Sequence, residues 1–131
     1  MLTAWLVLMT MFVGQAKEVT LPDTPQGRHV EAWIRAFNSG DEKTFLQAQD
    51  ALMAASVLGK RTPQERAQMF HRMQGDFGKL QVARVVKATP QQITIIVPTK
   101  EGDEGTFTFD FEEKAPFRIS GIAIDVRGGS A

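Results

Sequence analysis

Gly78 divides this sequence into two halves with different periods, and that division restricts the fold more than any other feature. Before it, apolar residues recur every three or four positions: Val30, Trp33, Ile34 and Phe37, then Phe45, Ala48, Leu52 and Ala55, then Met69, Phe70, Met73 and Phe77. That spacing puts each set on one face of a helix. After Gly78 the period falls to two. In "TFTFDFE", Thr106 to Glu112, the residues Phe107, Phe109 and Phe111 take one side of a strand, and Thr108, Asp110 and Glu112 take the other. Further strands are predicted over Leu80–Ala88, Ile93–Val97 and Phe117–Val126, the last with Ile122, Ile124 and Val126 on one face. The links "TPQQ", "KEGDEG" and "EKAP" are short and rich in turn formers. A parallel crossover needs about a dozen residues, so the strands must pair antiparallel. The expected fold is α+β: three N-terminal helices packed on one face of a four-stranded antiparallel sheet.

The helix boundaries are written in cap chemistry. Thr24 stands at an N-cap position, with Pro25 at the first helical site, where a missing N–H costs nothing. In "NSGD", Asn38 and Gly40 tolerate a left-handed backbone and end the first helix. Either Asp41, or Ser39 with Glu42 three residues on, caps the second. "TPQE", Thr62 to Glu65, has the form of a capping box opening the third, which Gly75 weakens and Gly78 stops.

Residues 1–16, "MLTAWLVLMTMFVGQA", carry no charge, and the apolar run ends in Gly14-Gln15-Ala16, small residues where a signal peptidase reads. We read 1–16 as a signal peptide and 17–131 as one domain of an exported protein, periplasmic or secreted, with no membrane attachment after cleavage. A basic residue near the start is missing, so the signal is weak or the true start lies upstream. A buried N-terminal helix is the alternative. No cysteine follows to anchor a lipid.

A first helix of the form "GRHVEAWIRAFNSGDEKTFLQ", its corner at "NSGD", and four antiparallel strands resemble the nuclear transport factor 2-like (cystatin-like cone) superfamily. Within it, "TPQGRHVEAWIRAFNSGDEKTF", "FGKLQVARV" and "PFRISGIAID" are similar to the small exported domain that precedes some bacterial β-lactamase-like serine hydrolases and processing-type peptidases. The resemblance covers Leu21 to Val126. It implies a curved sheet wrapped into a cone whose mouth holds a small apolar ligand, a homodimer through the open sheet face, or a secreted hydrolase as partner. No catalytic serine motif is present in the sequence.

The residues themselves nominate little chemistry. Lys and Arg total 15 and Asp and Glu 15, which leaves no net charge to draw nucleic acid. The basic stretch "GKRTPQER" is offset by Glu65 and does not support nucleic-acid binding either. The absence of Cys removes disulfides, cysteine zinc sites and thiol nucleophiles, and the absence of Tyr removes the oxyanion partner usual in isomerases of the resembled superfamily. The two His have no acid nearby at metal spacing, no cofactor motif is present, and "KEGDEG" lacks the ligand order of a calcium loop.

Four residues remain as ligand-site candidates: Trp33, His71, Arg84 and Asp110. Trp33 lies on a stripe that could line a pocket but is expected to be core. His71 follows Phe70 onto the helix rim. Asp110 is expected on the solvated side of its strand. If Val82 and Val86 face the core, so does Arg84, which then needs Asp110, Glu112 or a ligand anion. If Ala83 and Val85 face inward, Arg84 is solvated, and this second register is the expectation. The leading functional expectation is a non-catalytic exported domain that binds a small apolar ligand or a protein partner. An acid–base lyase or isomerase working in the cavity, and a structural dimerisation domain, are the other two.

Overall fold

Thr24 opens the first helix as its spacing suggests. In the computed structural model, which describes residues 19–127, its hydroxyl accepts from Gly27 N–H at 3.0 Å at the start of α1 (Pro25–Asn38). Gly27 is obligatory there: a Cβ would sit 1.9 Å from the carbonyl oxygen of Pro22. Residues 1–16, read above as a signal peptide, lie outside the described residues.

The corner after α1 has a division of labour that the sequence did not reveal. Gly40 alone in "NSGD" takes a left-handed backbone, with φ 77°. Ser39 turns back on the helix, donating from its hydroxyl to Ala36 O at 2.6 Å. Asp41, rather than Ser39, caps α2 (Glu42–Leu52), accepting from Thr44 N–H at 3.0 Å and from the Thr44 hydroxyl at 2.7 Å. Asn38 is not left-handed. Its amide donates to Leu80 O at 2.9 Å and accepts from Leu80 N–H at 2.7 Å. A side chain expected to break the helix instead pins the chain that leads into the sheet.

Among the described residues there are four helices where three were expected. Ala55 does not extend α2. At Met53 and Ala54 the backbone becomes extended, Met53 bridges Ile119, and Ala54 N–H donates to Ile119 O at 2.8 Å. The chain then makes the single turn of α3 (Ala55–Leu58) and ends it at Gly59. A distant strand thus overrode the local helical stripe. The α4 helix (Pro63–Phe77) carries the full capping box: Glu65 N–H donates to the Thr62 hydroxyl at 3.1 Å, and Thr62 N–H to Glu65 Oε1 at 2.8 Å. It runs through Gly75 and stops at Gly78, φ 72°.

The sheet is an antiparallel meander in the order β1 (Arg84–Ala88), β2 (Gln92–Pro98), β3 (Glu104–Phe111), β4 (Ile119–Arg127). Leu80 is buried but precedes the ladder, and β4 starts two residues later than expected because Phe117 has φ 60° in the turn. On the inner face Ile93 pairs with Phe109, Ile95 with Phe107, and Phe107 and Phe109 pair in turn with Ile124 and Ile122. Trp33 of α1 meets Phe107 and Phe109 edge-on, at ring-centroid distances of 6.2 and 5.4 Å, and Phe45 of α2 at 5.4 Å. Edge-to-face pairs of this kind add about 0.5–1.5 kcal/mol each beyond area burial. The outer face is polar: Thr94, Thr106 and Thr108 run across it beside Asp110 and the Arg84–Glu104 pair, with Ile96 the buried exception. Among the described residues no helix is long and apolar enough to cross a membrane.

Candidate functional site

A pocket of about 290 Å³ opens where the helices stop covering the inner face. The helical period supplies one wall: Met69 and Met73 stand one turn apart on α4, and Val57 and Leu58 come from α3. The strand period supplies the other, with Ile122 and Ile124 on β4. Trp33, Phe45 and Met53 border the inner end, where the pocket meets the core. Gln49, Lys60, Arg61 and Arg66 also line it. No Asp, Glu or His does, so among the described residues the pocket has three cations and no anion on its walls.

Two buried donors along this wall lack acceptors. Trp33 is 2% exposed, and its Nε1–H has no partner among the described residues. Arg66 keeps 14% of its side chain exposed. Its Nη1 lies 3.3 Å from Gln49 Oε1 and 3.4 Å from Asp50 Oδ1, long contacts, while its buried Nε has no partner. A buried donor left unpaired costs about 1–3 kcal/mol, more when charged.

Of the four residues nominated from sequence, Trp33 alone borders this pocket, and it is at once core and wall. His71 is exposed on α4, its Nε2 2.7 Å from Glu42 Oε1 and its Nδ1 3.2 Å from Gln74 Oε1, a surface tie between α2 and α4. Arg84 points to the outer face, as the solvated register requires, and its partner is Glu104 at 3.3 Å rather than Asp110 or Glu112. Asp110 is also outward, accepting from Gln92 Nε2 at 2.8 Å. The fold brings none of these three to the pocket. Among the described residues no group of three His, Asp or Glu could hold a metal.

Sequence reasoning missed Gln49 and Arg66, although a signal existed. Gln49 follows Phe45 by four residues, and Arg66 precedes Phe70 by four, so each stands on a stripe of buried residues. "GKRTPQER", read as a basic stretch offset by Glu65, supplies Lys60, Arg61 and Arg66 to the pocket, while Glu65 is spent on the helix cap. The chain matches no protein-family model, no curated protein and no solved structure.

Proposed function

We propose that this chain is a non-catalytic binding domain, exported after removal of residues 1–16, whose pocket takes a small apolar ligand. The carrying observation is the pocket's lining: apolar side chains from α3, α4 and β4 with a few convergent donors, the usual makeup of a small-molecule site. The resemblance to the nuclear transport factor 2-like cone supports the same reading, since the pocket opens between the helices and the inner sheet face. General acid–base chemistry needs a group within hydrogen-bond reach of the substrate proton. The carboxylates and imidazoles named above stand elsewhere, which favours binding over a lyase or isomerase. A homodimer through the sheet has weaker support, because the outer face carries threonines and ion pairs.

Native mass spectrometry on the chain purified from the periplasm tests this directly. A retained small-molecule mass is the expected result. A bare monomer turns attention to a protein partner such as a secreted hydrolase, and a bare dimer to an interaction domain.

A further inference from the structure

We infer that the ligand of this pocket is a small organic anion, an alkyl or aryl carboxylate of about ten heavy atoms, with its carboxylate on Arg66 and its tail against Met69, Ile122 and Ile124. The inference rests on the binding reading above and narrows it. Three observations lead to it. The volume, about 290 Å³, is at the small end of the range for ligand pockets, which suits one short chain or ring. The lining carries Lys60, Arg61 and Arg66 and no acid, so its field favours a negative head. The Arg66 guanidinium is mostly buried, with an unpaired Nε, and its one carboxylate contact is a long one to Asp50, itself 63% exposed.

A guanidinium presents its N–H groups in a planar fork that fits a carboxylate. A carboxylate at the exposed edge of that fork gains charge-assisted hydrogen bonds that a neutral alcohol makes only weakly. Free inorganic anions are disfavoured because methionine and isoleucine walls give them nothing to contact. The apolar tail is what separates this site from a surface anion hole.

Calorimetric titration of the full chain with octanoate, 1-octanol and acetate tests the assignment, alongside Arg66→Gln. Octanoate should bind at least tenfold tighter than 1-octanol and than acetate. In Arg66→Gln the octanoate–octanol difference should shrink to within about twofold, with the thermal midpoint showing that the variant folds. Equal binding of octanoate and 1-octanol overturns the anion inference and leaves the apolar-ligand reading standing. Binding of neither overturns both. Acetate as tight as octanoate, or a preference that survives Arg66→Gln, overturns the placement of head and tail.

Discussion

Phe107 and Phe109 on β3 are fully buried, whereas Ile124 and Ile122, paired with them one strand over and on the same face, are half-exposed. The difference lies in the cover. Over β3 lie the aromatic stripes of α1 and α2, with Trp33 against both phenylalanines. The helix that packs against β4 is α3, four residues long. At about 1.5 Å per residue it spans about 6 Å, against about 30 Å for a nine-residue strand. One face of one sheet therefore serves as core at one end and as pocket wall at the other. What separates core from pocket wall here is helix length, not residue type.

The largest expected effect breaks the comparison at its boundary. Trp33→Ala should cost about 3–5 kcal/mol in urea unfolding, because it empties a packed site. A small loss of stability together with lost ligand binding would instead assign Trp33 to the pocket. Next comes the contrast itself: Ile122→Ala should cost about 1–2 kcal/mol, well below the range for Phe109→Ala, since its side chain is only partly buried. Equal costs for the two would show that β4 is covered as fully as β3. Thr62→Ala removes the capping box ahead of α4 and should cost about 1 kcal/mol while loosening the wall that Met69 and Met73 form. Hydrogen exchange should quicken in the first turn of α4 and not in α1.

The smallest effect is a pH effect at the other end. The Thr44 hydroxyl and backbone N–H donate to Asp41 and hold its carboxyl below the ordinary value of 3.8, with a lesser push from Lys43. The cap binds the ionised form, so its charged contribution is complete above that ordinary value. It declines as pH falls and disappears below the lowered pKa. Asn is itself a good N-cap. The stability difference between the native chain and Asp41→Asn should therefore be greatest near neutral pH and vanish in acid. A difference that grew on acidification would contradict this cap geometry.

The parts legible in the sequence are those with a strong local cause. The capping box at Thr62, the N-cap at Thr24 and the alternation in "TFTFDFE" each set structure within a few residues. Failures came where a distant group decided. Asn38 serves Leu80, 42 positions on, and Met53 leaves its helix to meet Ile119. The pocket was illegible for the same reason, since its walls come from four helices and a strand. Only Gln49 and Arg66, polar residues on buried stripes, left a local trace.

The short helix α3 has a consequence beyond the pocket it lines. It belongs to no ladder of the sheet, and it hangs from the Ala54–Ile119 hydrogen bond at one end and turns away at Gly59 at the other. Positions 55 to 61 pair with no strand, so exchanging a residue there leaves the strand registers as they are, although Val57 and Leu58 also pack against the core and must stay apolar. The charge of the pocket can therefore change at Lys60 and Arg61 without disturbing the sheet. One roof of four residues and the loop after it set the pocket's shape, while the Phe-rich half lies beneath them.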